Sequence, residues 1–137
     1  MESADRPAAG RRGRISRSRD FDAVYRRGKS SAGRHLVVYA FSRDEFGDMR
    51  APRLGLSVSK KVGDAVTRNR VKRVLREQFA ARADTVPGRL DIVVIARPGC
   101  AEYLDEQGSS ALGERLGELL ERVIQRSLAE TQQSDAA

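Results

Sequence analysis

The sequence of 137 residues contains a single histidine, His35, and a single cysteine, Cys100. A ribonuclease mechanism that uses two histidines is therefore excluded, because general acid–base catalysis needs partners within reach of one another. One cysteine forms no internal disulfide and no cysteine-based metal site, which fits a reducing cytoplasm. We expect His35 to be an ordinary surface residue and Cys100 to be buried or neutral.

Long apolar runs are also missing. No stretch approaches the roughly 20 apolar residues that a membrane-spanning helix needs, and the N-terminus has no apolar core of a signal peptide. The sequence therefore predicts a soluble, cytoplasmic protein with no membrane partner. Residues 1–14 predict a disordered basic arm and residues 131–137 a disordered polar tail, which leaves a single folded domain over residues 15–130.

Acidic residues are absent between Arg68 and Arg76, although five of these nine residues are Arg or Lys. Helical spacing places an apolar side opposite a cationic one. The apolar side consists of Val71, Val74, Leu75, Gln78 and Phe79. The cationic side consists of Lys72, Arg73 and Arg76, with Asn69 among them and Arg70 at their edge. An ordinary solvated face mixes both signs, so this pattern favours an anionic polymer as the partner.

The positive charge of the chain belongs to its first half. Residues 1–76 carry 20 Arg or Lys against 8 Asp or Glu, a net charge of +12. Residues 77–137 carry 6 against 11, a net charge of −5. A nucleic-acid contact is therefore expected within the first half.

No catalytic or metal-binding pattern emerges from the residues. Gly28-Lys29-Ser30 resembles the end of a phosphate-binding loop, but Ala23 stands where that pattern requires a glycine. Glu102, Asp105 and Glu106 cluster in a predicted loop, and we interpret them as solvated because a hard cation needs several organised oxygen ligands. The residues alone indicate a binding protein without a catalytic centre.

Hydrophobic periodicity predicts three helices and three clear strands. The helices are expected at about residues 19–27, 65–82 and 109–130, and the strands at residues 36–41, 54–59 and 90–96. We interpret the first two strands as an antiparallel hairpin and the third as a central strand, because the third is apolar on both faces. Residues 97–108 are expected to form a loop. The order predicts an α+β domain, a two-layer sandwich of one sheet and its helices.

Aromatic residues of the basic half suggest a second contact for nucleic acid. If Phe21 and Tyr25 share a face with Tyr39, the three rings form a platform on which bases stack. The alternative is that Phe21 and Tyr25 anchor the first helix to the core. For Phe41 the core is favoured. Small residues alternate along strand 54–59 and leave room there for a strand of RNA.

Residues 53–79, RLGLSVSKKVGDAVTRNRVKRVLREQF, closely resemble the signature of the bacterial ribonuclease P protein component. The segments 18–30, 35–42 and 91–99 resemble the flanking parts of that family in order and spacing. The resemblance spans about residues 15–125. Cys100 departs from it, since the family commonly has a small residue such as Ala there.

The resemblance implies the protein subunit of an endonuclease whose catalytic RNA removes the 5′ leader from precursor transfer RNA. Mg²⁺ acts through that RNA, the protein alone holds no cofactor, and no protein partner is required. The resemblance assigns to the catalytic-RNA surface Lys60, Lys61, Arg68, Asn69, Arg70, Lys72, Arg73 and Arg76. It assigns to a cleft for the leader Phe21, Tyr25 and Tyr39.

The resemblance also implies a four-stranded mixed sheet with three helices. The additional strand is expected near Ser30 to Gly33. The strand–helix–strand crossover through the basic helix is expected to be left-handed, against the general rule for parallel strands. Two other functions stay open: a structural RNA-binding protein of ribosomal type, and a DNA regulator. The second is disfavoured because no helix precedes the basic helix by a short turn.

Overall fold

The computed structural model describes residues 14–15, 18–43 and 51–136 of the chain. The strands are β1 Lys29–Ala32, β2 Leu36–Ser42, β3 Arg53–Val58 and β4 Leu90–Ala96. The helices are α1 Ser18–Arg27, α2 Ala65–Ala80, α3 Cys100–Gln107 and α4 Ser109–Ala136, with a short 3-10 turn at Ala83–Thr85. The α+β class and the four-stranded mixed sheet are confirmed.

The strand order in the sheet is β1-β2-β4-β3. Strand β4 pairs antiparallel with β2 and parallel with β3, so the central position predicted for β4 is confirmed. The predicted hairpin of β2 with β3 is wrong, because β4 lies between them. A strand that is apolar on both faces gains most from two neighbours and two covering layers, and the connection from β2 to β3 is long enough to allow its insertion.

Helix α2 connects the parallel neighbours β3 and β4, as the predicted crossover requires. The hand of that crossover stays a prediction. Beside the outer edge of β3, Arg14 forms a parallel bridge with Leu54, and the amide of buried Ile15 donates to the Leu54 carbonyl oxygen at 3.0 Å. The end of the predicted arm therefore lies along the sheet. The rest of the predicted basic arm, residues 1–13, lies outside the described residues.

The two faces of the sheet have different cores. The larger core lies between the sheet and helices α2, α3 and α4, and it includes the predicted apolar side of α2: Val71, Val74, Leu75 and Phe79. The smaller cluster lies on the other face beneath α1 and consists of Ile15, Val24 and Val93 with Phe21, Tyr39, Phe41 and Ile95 packed against it. Side chains of β2 and β4 alternate between the two, as expected for strands.

Helix α1 ends where the sequence predicts, at Gly28. A Cβ at Gly28 would lie 2.5 Å from the Val24 carbonyl oxygen and 2.7 Å from that of Ala40. Only glycine allows the helix end to approach β2 this closely. This contact fixes where α1 meets the sheet.

Two other elements differ from the predictions. Residues 97–108 are not simply a loop, because they contain α3, whose Cys100, Ala101 and Leu104 are buried in the larger core. Polar residues around them hide this short apolar side in the sequence. Helix α4 continues to Ala136, past its predicted end at about residue 130, and the disordered tail stays a prediction. No helix in the described part of the chain is long and apolar enough to span a membrane.

Cys100 is fully buried at the start of α3. Burial, with a smaller contribution from Glu102, raises the pKa of its thiol to about 11. The predicted buried, neutral cysteine is confirmed, and the neutral thiol packs as a small apolar side chain.

The sequence analysis missed a buried carboxylate in β4. Asp91 is 2% exposed and accepts hydrogen bonds from Arg53 Nε at 2.8 Å, Arg53 Nη2 at 2.6 Å and Arg43 Nη1 at 2.8 Å. These charged bonds compensate the loss of hydration, and the bond to Asp91 raises the pKa of Arg53. Arg53 Nη1 also lies 3.6 Å from Asp20 in α1. The Asp91–Arg53 pair thus connects the parallel strands β4 and β3, and Arg53 extends this connection to α1.

Replacing Asp91 with Asn should lower the free energy of unfolding by about 3–5 kcal/mol, because two arginines lose their buried countercharge. The matched control is Asp105→Asn, which breaks an exposed ion pair with Arg70 and should cost about 0–1 kcal/mol. Urea unfolding of both variants measures the difference. Similar small losses in the two variants would show that Asp91 does not stabilise the sheet.

Candidate nucleic-acid interface

Helix α2 begins at a defined N-cap. The Asp64 side chain accepts a hydrogen bond from the Thr67 amide at 2.8 Å. This bond is the main cause of the lowered pKa of Asp64, so the cap stays ionised at neutral pH and satisfies an amide of the first turn. The cap and the buried apolar side together fix the rotation of α2, and hence the direction of its cations.

The structure places the predicted cationic residues around the outer side of α2. Asn69 and Arg73 are exposed, whereas Arg68, Arg70, Lys72 and Arg76 are partly buried along their stems. Lys60 and Lys61 are exposed in the turn that leads from β3 into the helix. The eight residues therefore occupy one helix and the turn before it, which we call the α2 basic surface.

Three arginines of this surface have distinct surroundings. Arg70 forms an ion pair with Asp105 of α3 at 2.8 Å. The Nε atom of Arg68 is buried without a hydrogen-bond partner, which leaves a donor unsatisfied. Burial, with the nearby charge of Arg14, lowers the pKa of Arg76. Of these three arginines, Arg70 is paired with an acid, whereas Arg68 and Arg76 lie in surroundings that disfavour their charge or leave a donor unsatisfied.

The three predicted aromatic residues lie together on the α1 face of the sheet. The ring centroids of Phe21 and Tyr25 are 6.3 Å apart, and those of Tyr25 and Tyr39 are 5.2 Å apart in an edge-on arrangement. Phe21 and Tyr39 pack on the smaller core cluster, whereas Tyr25 is 38% exposed. Phe21 therefore mainly anchors α1 to the sheet, whereas Tyr25 mainly provides an accessible aromatic surface.

Small residues of β3 lie on the same face of the sheet as these rings. We call the three rings together with Gly55 and Ser57 the aromatic cleft, after its predicted role. Tyr39, Val93 and Gly55 are paired across β2, β4 and β3, which places them on one face of the sheet. A Cβ at Gly55 would lie 2.8 Å from the Phe21 ring, so the glycine allows the ring to lie directly on the strand. Burial raises the pKa of Tyr25, with Ser57 opposing the shift, so this side chain is a neutral phenol at pH 7. The prediction of a small-residue face is confirmed.

Two of the candidate catalytic and metal-binding residues named from the sequence, His35 and Asp105, have other contacts in the structure. His35 stacks on Tyr103, with ring centroids 4.4 Å apart, so it is less ordinary than predicted. Asp105 faces Arg70 instead of joining Glu102 in a site. Among the described residues, no group of three or more His, Cys, Asp or Glu is arranged to hold a metal ion.

A family model described as Ribonuclease P matches residues 10–123. The chain belongs to the ribonuclease P protein family. A relative from Bacillus cereus named Ribonuclease P protein component is 42% identical over 99 residues, which are 72% of this chain and 84% of that protein. The resemblance based on residues 53–79 is thereby confirmed.

Solved structures of ribonuclease P proteins share the fold. A mutant Staphylococcus aureus protein with defective mRNA degradation activity is 32% identical, with a TM-score of 0.76 over 88% of this chain and 96% of that one. The Thermotoga maritima protein is 34% identical, with a TM-score of 0.71 over 80% and 96%.

Membership of this family makes the chain a subunit of ribonuclease P, the ribonucleoprotein that processes the 5′ end of transfer RNA. The partner is an RNA subunit, and enzymatic activity belongs to the holoenzyme with that RNA. This function decides against the DNA regulator and the ribosomal-type protein.

Proposed function

We propose that the protein uses two separate surfaces for two RNAs. The α2 basic surface binds the catalytic RNA, and the aromatic cleft binds the single-stranded 5′ leader of precursor transfer RNA. The observation that carries the first assignment is the fixed rotation of α2, whose apolar side is buried while its basic residues, with one ion pair between Arg70 and Asp105, lie on the remaining side. A rigid array of arginines suits bidentate contacts with phosphates.

The leader assignment is supported by the composition of the cleft. Single-stranded RNA presents unstacked bases, which aromatic side chains bind without strict sequence preference. Tyr25 is exposed and Ser57 is partly exposed, whereas Gly55 is covered by the Phe21 ring. A cleft of this kind suits leaders that differ in sequence among precursors.

Mg²⁺ enters this proposal through the catalytic RNA. The protein contributes cations that reduce repulsion between the catalytic RNA and the precursor, and so lowers the Mg²⁺ concentration needed for binding. We further propose that it acts in the cytoplasm, where a free thiol such as Cys100 stays reduced, and that it needs no second protein.

Reconstitution tests the proposal as a whole. The purified protein should not cleave precursor transfer RNA alone, but it should restore cleavage by its cognate RNA at low Mg²⁺ concentration. The assay of the protein alone should include an mRNA, because a similar S. aureus protein is described as a mutant with defective mRNA degradation activity. No gain in precursor cleavage on mixing protein and RNA would contradict the proposal.

Replacing Arg73 with Ala should weaken binding to the catalytic RNA and make it less dependent on salt. The slope of log K against log salt concentration should fall by about one unit for the lost phosphate contact. Arg89→Ala is the control, because it removes the same charge just before β4, outside the α2 basic surface. An unchanged slope for the Arg73 variant would assign that residue to folding or solubility.

Replacing Tyr39 with Ala should reduce the affinity of the holoenzyme for precursor transfer RNA about fivefold or more, because stacking on one base is lost. Affinity for mature transfer RNA, which has no leader, should change little. Tyr39→Phe keeps the ring and should retain the preference for the precursor. Equal losses for both RNAs would remove Tyr39 from the leader contact.

A further inference from the structure

Three strands of the sheet end side by side at the edge from which α2 departs. Val58 of β3 is paired with Ala96 of β4, and Ala96 is paired with Leu36 of β2. Adjacent strands are about 4.8 Å apart, so roughly 10 Å separates the end of β3 from the start of β2.

Basic residues lie just beyond each of these strand ends. The α2 basic surface begins with Lys60 and Lys61 after β3, Arg97 follows β4, and Arg34 lies in the turn before β2. Arg97 Nη1 donates to the Gly33 carbonyl oxygen at 2.9 Å, which fixes the β1–β2 turn against the end of β4. Positive charge therefore continues from the α2 basic surface across the end of the sheet.

A cavity of about 380 Å³ opens at the far end of this basic edge. We call it the hairpin pocket, and it is lined by Gly33, Arg34, His35, Leu36, Tyr103, Arg115, Glu118, Leu119 and Arg122. His35 and Tyr103 form its aromatic wall, with their rings inclined by 29°. The pocket joins the β1–β2 turn to helices α3 and α4.

The charges of the hairpin pocket are unbalanced. Three arginines line it against one acid, Glu118. Arg115 Nη1 donates to Glu118 at 2.9 Å, and Arg115 Nε donates to the Tyr103 hydroxyl at 3.2 Å. Glu118 thus compensates Arg115, while Arg34 and Arg122 are exposed. Burial, followed by the charges of Arg34 and Arg115, lowers the pKa of His35, so at neutral pH its ring is an uncharged stacking surface.

Arginines beside a pair of stacked aromatic rings match the chemistry of one nucleotide. The guanidinium groups suit a phosphate, and an aromatic ring supports a base. We propose that the hairpin pocket is a second RNA contact, where Arg34 and Arg122 hold a phosphate and the His35–Tyr103 pair supports a nucleobase.

The catalytic RNA is the occupant that the position of the pocket favours. The basic edge connects the pocket with the α2 basic surface, whereas the aromatic cleft lies on the opposite face of the sheet. An RNA bound along α2 therefore reaches the pocket without crossing the leader. This inference rests on the proposed binding of the catalytic RNA by α2.

The experiment compares Arg122→Ala with Arg89→Ala, which removes the same charge at the opposite end of β4. The salt dependence of binding to the catalytic RNA should fall by about one unit for the Arg122 variant only. His35→Ala should weaken this binding about fivefold or more, and His35→Phe should restore it because an aromatic ring is kept. Thermal unfolding checks that each variant is folded.

Each other outcome overturns the inference in a recognisable way. Equal effects of Arg122→Ala and Arg89→Ala would show that the pocket contributes only to the general positive charge of the protein and makes no specific RNA contact. Normal binding of catalytic RNA with weakened binding of precursor would assign the pocket to the substrate. If the wild-type protein does not bind the catalytic RNA, the proposed function itself fails. If the wild-type protein binds the catalytic RNA and only Arg73→Ala weakens this binding, the α2 basic surface is supported. The hairpin pocket is then rejected as an RNA contact.

Discussion

Strand β4 is hydrogen-bonded along both edges and buried on both faces, and the rest of the molecule is arranged to provide that environment. Strands β2 and β3 occupy its edges, helices α2 to α4 cover one face, and α1 covers the other. Asp91 is the polar exception within it, and its burial requires the two arginines that approach from beyond β2 and from β3. Without these neighbours, the apolar surface of β4 would be exposed to water. The Asp91 carboxylate would lack a countercharge.

The position of the α2 basic surface follows from this arrangement. Because α2 connects β3 with β4, its apolar side must pack on the sheet, and its remaining side must face solvent. Like charges at Lys72 and Arg76 repel by a few tenths of a kcal/mol, which is small beside the burial of Val71, Val74, Leu75 and Phe79. The core can therefore hold in place a concentration of charge that an isolated helix would disfavour.

The aromatic cleft depends on the same central strand. Arg53 binds Asp91 in β4 and approaches Asp20 in α1, while Gly55 admits the Phe21 ring onto β3. Helix α1 is thus located by these two contacts together with the close approach of Gly28 to β2. We propose that the catalytic RNA binds on one side of the sheet and the leader on the other. For this, the protein needs only to hold its basic and aromatic side chains in fixed positions. The chemistry remains in the ribonucleoprotein.

The sequence by itself determined which sides of the elements are buried. Periodicity predicted the apolar side of α2, glycine after residue 27 predicted the end of α1, and the continuous apolar run of residues 90–96 predicted the central place of β4. Residues 53–79 predicted the family. Only the tertiary structure decided the strand order, the helix at residues 100–107, the partners of Asp91 and the pairing of His35 with Tyr103. The physical reason is that periodicity records which side of an element avoids water. The neighbour that covers this side, and any polar partner it brings, depends on contacts between distant parts of the chain.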